Sequence, residues 1–191
     1  MQCIEFFTYA SALQWGVRVD GTDLRVHAAD ATREPWRLEN QDDTTPEERE
    51  EFLFSQHAGL TQDELGDPAR HFLGEGGPGL LRATTGAVAV LGCSCGIWEC
   101  WPLLTHITVT PETVEWSGFR QPYRPTWGEL PMGPYVFPRA AYENALAHPV
   151  HLAGDPLTAL PHRTQQAAGD GRAIRGDRQD GTDRSLSEWP R

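Results

Sequence analysis

Residues 87–116 read AVAVLGCSCGIWECWPLLTHITVTPETVEW, and the period of this stretch decides the fold class. Ala87, Ala89, Leu91, Cys93 and Cys95 fall on one face of an extended chain, and Val88 and Val90 on the other. Farther on, Ile107, Val109, Val114 and Trp116 alternate around Thr110-Pro111-Glu112-Thr113, which predicts a hairpin. Pairing 86–95 with 100–109 through Gly96-Ile97-Trp98-Glu99 predicts another. In that register Cys95 faces Cys100 across the strands with Cβ atoms about 5 Å apart. Cys93 lies on the same face roughly 7 Å along.

Three of the chain's four cysteines thus converge on one patch, and three chemistries fit them. They are small buried hydrophobes beside Trp98 and Trp101, a common place for free cysteine. Or they hold a structural metal ion, zinc above all, which takes thiolates at about 2.3 Å in a tetrahedron. Or Cys95 and Cys100 form a thiol redox pair, although Glu99 beside them opposes a lowered thiol pKa. Metal binding leaves the fourth ligand open. His106 has the right parity but is six residues from Cys100, about 20 Å along a strand. Cys3, His57 and His71 are the remaining candidates. The spacing C-x-C-x4-C differs from the paired C-x2-C knuckles of common zinc modules.

Outward from this core the signals are local. Val17 and Val19 alternate with polar residues, Asp20-Gly21 supplies a turn, and Leu24 and Val26 resume the alternation, which predicts an early hairpin. Residues 28–51 read as a polar loop. Thr45-Pro46-Glu47-Glu48 is a capping box that starts a helix carrying Phe52 and Leu53 inward. Thr61-Gln62-Asp63-Glu64 repeats the signature, and Asp67-Pro68 starts a further short turn ending near Gly74. Residues 74–79, GEGGPG, read as a flexible connection. Pro138 begins a helix bearing Tyr142, Ala145 and Leu146, which His148-Pro149 stops. The polar composition beyond about residue 154 reads as a disordered tail.

Composition removes several function classes. All sixteen basic residues are arginine, so neither a Walker A lysine nor a Schiff-base lysine is present. The net charge of −11 lies in residues 1–154, which hold 10 Arg against 21 acidic residues. That balance repels phosphate backbones, disfavours nucleic acid and suits a basic protein partner. No apolar run is long enough to span a membrane, and MQCIEFFTYASALQW lacks the basic start of a secretory signal. Both features point to the cytoplasm, where cysteines serve as thiols or metal ligands. No H-x-x-x-H or H-E-x-x-H pair occurs. Arg120, Tyr123 and Arg124 in GFRQPYRPTW form a local basic-aromatic group, able to clamp an anion or simply to pack on the hairpin.

The run 91–127, LGCSCGIWECWPLLTHITVTPETVEWSGFRQPYRPTW, followed by MGPYVFPRAAYENAL, resembles a family of uncharacterised bacterial proteins, mostly actinobacterial. The likeness lies in GCSCG, CWPLL, the T-V-x-W hairpin, the QP-aromatic-R segment and the helix start, with VRVDGTDL similar as well. It covers roughly residues 15–30 and 80–147. That family has no established activity or cofactor, so the resemblance implies none.

The sequence therefore predicts an α+β fold: a small antiparallel sheet of β-hairpins, several short helices and a flexible C-terminal tail. It predicts a single domain over 1–153 and a tail over 154–191. The expected function is a non-enzymatic cytoplasmic accessory or binding protein. Its cysteine hairpin is structural and takes zinc as the candidate ion on Cys93, Cys95 and Cys100. One alternative is a thiol-dependent redox protein using Cys95 and Cys100. The other is an acidic immunity or anti-toxin type factor that docks on a basic protein.

Overall fold

Apolar and aromatic residues at period two build the first sheet. Ile4–Tyr9 (β1) and Gln14–Val19 (β2) pair antiparallel from Ile4↔Val19 to Tyr9↔Gln14. This is a computed structural model, and it describes residues 1–9, 14–39, 45–75 and 86–159. Asp20 and Gly21 both have positive φ, the requirement of a tight hairpin turn, and lead into Thr22–Asp23 (β3). The strand stops there. Leu24 and Val26, expected to extend it, instead open a helix, Leu24–Glu39 (α1). The Asp23 carboxylate accepts the Arg25 amide at 3.0 Å, and Leu24, Ala28 and Ala31 recur at helical spacing on the buried face. Much of the loop expected over 28–51 is thus helical.

The second helix, Pro46–Ser55 (α2), starts at the Thr45/Glu48 capping box as expected. Leu53 is buried, but Phe52 is 44% exposed and lies edge-on to Trp36, so it does not enter the core. Two short strands follow, His57–Ala58 (β4) and Leu60–Thr61 (β5). The Thr61/Glu64 box starts Gln62–Leu65 (α3), and Asp67 caps Pro68–Arg70 (α4). A last turn, His71–Glu75, brings Phe72 inward. Beyond Glu75, the expected flexible connection lies outside the described residues.

Val88–Cys93 (β6), Leu103–Val109 (β7), Thr113–Arg120 (β8) and Tyr135–Pro138 (β9) form an antiparallel sheet with β4, in the order β4-β6-β7-β8-β9. Val88 through Leu91 are all buried, as suits an inner strand covered on both faces. The hairpin at 110–113 closes with Val109 opposite Val114, as its sequence predicts. Pro138 precedes Arg139–Ala147 (α5), which buries Tyr142 and Leu146 as expected. The chain then returns through Val150–Leu152 (β10) to pair parallel with β1, the one departure from antiparallel pairing among the described residues. The first sheet has the order β10-β1-β2-β3, with β5 on β2 beside β3.

Aromatic side chains join the two sheets. The Phe72 ring lies 4.9 Å from Phe6 of the first sheet and stacks at 6.2 Å on Trp116 of the second. Tyr142 donates its hydroxyl to the Phe72 carbonyl at 2.5 Å and accepts the Trp116 indole N–H at 3.2 Å. The architecture is α+β. Pro156–Ala159 forms a final turn that buries Leu157, and residues 160–191, which hold most of the expected tail, lie outside the described residues. Among the described residues, no helix is long and apolar enough to cross a membrane.

Candidate metal centre

Cys93 ends β6, Cys95 follows in a turn, and Cys100 closes a single 3-10 turn, Trp98–Cys100. The Gly96 amide donates to the Cys93 carbonyl at 3.2 Å, and Gly96 has a φ of 89°, a conformation open to glycine. The Cys100 amide donates to Ile97 O at 3.0 Å. A Cβ on Gly92 would sit 3.0 Å from the Trp98 Cβ, so glycine lets the loop fold back against β6.

The β6–β7 register ends at Leu91↔Leu103 after a shift at Ala89/Leu91. Cys95 and Cys100 are therefore not a cross-strand pair on a hairpin face, as strand parity predicts; both lie in the connecting loop. Nor are they buried hydrophobes: Cys95 and Cys100 are exposed and Cys93 is half-buried. The three sulfurs still meet, all within 4.8 Å of one another. A tetrahedral zinc thiolate has S···S edges of about 3.8 Å, which lies inside that bound.

Contacts from distant parts of the chain hold this loop. The Ser94 amide donates to the Gln56 carbonyl at 3.4 Å, at the end of α2. The Trp98 amide donates to Glu64 Oε1 at 3.3 Å, and the Tyr123 hydroxyl donates to Glu99 O at 2.6 Å. Below the loop, Gln56 Oε1 accepts the indole N–H groups of Trp36 and Trp101, each at 3.3 Å. Its amide nitrogen donates to Thr32 Oγ1 at 2.8 Å and Leu53 O at 2.9 Å. Sequence reading found Glu64 only as a capping residue and did not find Gln56, because neither lies near the cysteines in the chain.

No other Cys, His, Asp or Glu among the described residues joins the three sulfurs within that distance. Cys3 is exposed beside Asp20, whose carboxylate accepts its amide at 2.8 Å. His57 sits opposite Cys93 in the β4–β6 ladder, but its Nδ1 faces the Gly92 carbonyl at 3.3 Å. His71 Nε2 lies 2.7 Å from Ala89 O, and His106 Nε2 accepts from Arg120 at 2.7 Å. None of the expected fourth ligands belongs to the cluster.

No protein-family model, curated protein or solved structure matches this chain.

The electrostatics of the three thiols are unequal. Burial pushes the Cys93 thiol up to about 11. The Cys95 thiol is lowered, chiefly by its hydrogen bond from Cys93 and further by the loop backbone. Within this pair the Cys93 S–H is the donor to Cys95. The Cys95 amide lies 3.4 Å from Cys93 Sγ and stabilises charge there once its proton leaves. The arrangement suits a cation that replaces thiol protons. Beside it, Arg124 lies over Trp101 at 5.0 Å and Trp36 at 5.5 Å and pairs with Glu39 at 3.0 Å. Tyr123 thus braces the loop through Glu99, and Arg124 packs on Trp101 and on Trp36 of α1.

Proposed function

We propose that this chain is a non-enzymatic accessory protein that carries a thiophilic metal ion, zinc foremost, on Cys93, Cys95 and Cys100. The observation that carries this reading is the meeting of three largely exposed sulfurs with no fourth protein ligand among the described residues. Structural zinc sites are closed by four protein ligands, whereas sites with three leave a position for water or another molecule. Thiolate donors select zinc, copper(I) and other soft ions. The ion is thus presented to solvent or to a partner's donor rather than sealed as a staple. A reducing compartment such as the cytoplasm keeps all three thiols free to bind.

Anaerobic zinc titration against a chromophoric chelator tests this. One zinc per chain is expected, with Cys95→Ser and Cys100→Ser each weakening binding by at least about a hundredfold. Zinc binding unaffected by either substitution would contradict it.

A second reading, thiol redox at Cys95 and Cys100, draws on the exposed and lowered Cys95 thiol. There the Cys95 thiolate attacks an external disulfide, Cys100 resolves the mixed disulfide, and two electrons and two protons pass to the acceptor's sulfurs. Metal-free protein with a reversible Cys95–Cys100 disulfide at cytosolic potentials is its signature.

A further inference from the structure

The segment 118–127 places its two guanidinium groups in different circumstances. Arg124 is paired with Glu39. Arg120, at the end of β8, has no carboxylate within 4.0 Å among the described residues, where seven other arginines each have one. Its Nη2 donates to His106 Nε2 at 2.7 Å and its Nε to Gly118 O at 3.4 Å. In a chain of net charge −11, a cation without a counter-charge is unusual.

The backbone is shaped for this placement. The β7–β8 register shifts between Leu104↔Arg120 and His106↔Ser117, leaving an extra residue on β8. Gly118 there has a φ of 65°, and a Cβ on it would sit 3.0 Å from His106 Cδ2. Glycine is thus required twice over, by the backbone angle and by the close approach. A bulge of this kind re-aims the side chains beside it.

Arg120 lines a cleft of about 450 Å³ with Gln121, Pro122, Pro125, Gly128 and Glu129. The Gln121 side chain is already engaged, by Pro102 O at 3.3 Å and the Tyr123 amide at 3.1 Å. Among the described residues that line the cleft, Arg120 is the one cation and Glu129 the one anion, with Pro122 and Pro125 as apolar lining. We propose that this cleft binds a small organic monocarboxylate, its carboxylate on the Arg120 guanidinium and its apolar body over Pro122 and Pro125. The planar fork of arginine fits a carboxylate's two oxygens. Glu129 opposes multiply charged anions, which separates this site from a phosphate site.

The test is a titration of the full chain with benzoate, followed by amide chemical shifts, with inorganic phosphate as the contrasting probe. Saturable shifts centred on residues 120–129 are expected with benzoate. Arg120→Gln weakens binding by at least about tenfold. Glu129→Gln, an exposed change that leaves the fold intact, tightens it several-fold. The proposal is overturned by any of three results: no saturation up to about 50 mM benzoate, unchanged affinity in Glu129→Gln, or tighter binding of phosphate than of benzoate.

Discussion

The Glu64 carboxylate accepts the backbone amide of Trp98 at 3.3 Å while its other oxygen accepts the Thr61 amide at 2.9 Å. One side chain thus closes the cap of α3 and anchors the loop that carries Cys95 and Cys100. Glu64→Ala is expected to cost about 1 kcal/mol from the cap. It is also expected to weaken zinc binding by about tenfold, because the loop loses an outer support. Thermal melts of the metal-free protein and zinc titrations separate the two effects. A stability loss with unchanged zinc affinity would leave the cap but remove the anchoring role.

The thiols should differ in reactivity. Cys95 is exposed and its thiol is lowered by the hydrogen bond from Cys93, whereas burial raises Cys93 to about 11. Iodoacetamide near neutral pH is therefore expected to label Cys95 well before Cys93, since the thiolate is the nucleophile. Zinc should protect both. Site-resolved mass spectrometry over a time course reads the order, and equal rates at the two positions would contradict the assigned hydrogen bond.

His57 predicts a pH dependence of stability. Burial drives its pKa down to about 4, so the folded ring is neutral, with Nδ1 against Gly92 O. The unfolded chain protonates the same ring below about 6.5. Between these values the unfolded state holds more protons, so stability rises with pH. This contribution is complete above about 6.5, declines as the pH falls, and is gone below about 4, a total on the order of 3 kcal/mol. Denaturation of His57→Gln should show a flatter profile than the parent across this window; identical slopes would remove His57 as the source.

Arg25 is buried and holds Asp23 at 2.8 Å and Asp155 at 2.8 Å, tying the turn after β10 to the start of α1. Burial opposes its charge, but hydrogen bonds to Asp23 and Asp155 overcome that and raise its pKa. Arg25→Met leaves the buried Asp23 without its cation and is expected to cost about 3–5 kcal/mol. Asp155→Asn, at a more open carboxylate, should cost less. Urea denaturation measures both, and a loss below about 1 kcal/mol for Arg25→Met would show that the cluster does not hold the fold.

Features encoded within four residues were legible in the sequence. The Thr45/Glu48 and Thr61/Glu64 boxes and the 110–113 hairpin stand where their residues predict, because each is a complete local hydrogen-bonding unit. Leu24 and Val26 misled because two apolar residues two apart fit a strand, while Leu24, Ala28 and Ala31 fit a helix over a longer window. The cysteines were found as a group, but by an argument the backbone does not follow. Parity assumed a regular strand through Cys95, whereas β6 ends at Cys93 and Gly96, at positive φ, turns the chain just after Cys95. Gln56 escaped notice and Glu64 was seen only as a cap because they meet the loop only through tertiary folding, whereas Tyr123 was already placed in a segment able to pack on the hairpin.

The most direct test of the central claim is X-ray absorption at the zinc edge on protein loaded with one equivalent of zinc under anaerobic conditions. A three-thiolate site with an open position predicts three sulfur scatterers at about 2.3 Å and one oxygen or nitrogen near 2.0 Å. The sulfur shell should fall to two in Cys95→Ser. A first shell of only oxygen and nitrogen, or a sulfur count unchanged by that substitution, would contradict a metal centre built on Cys93, Cys95 and Cys100.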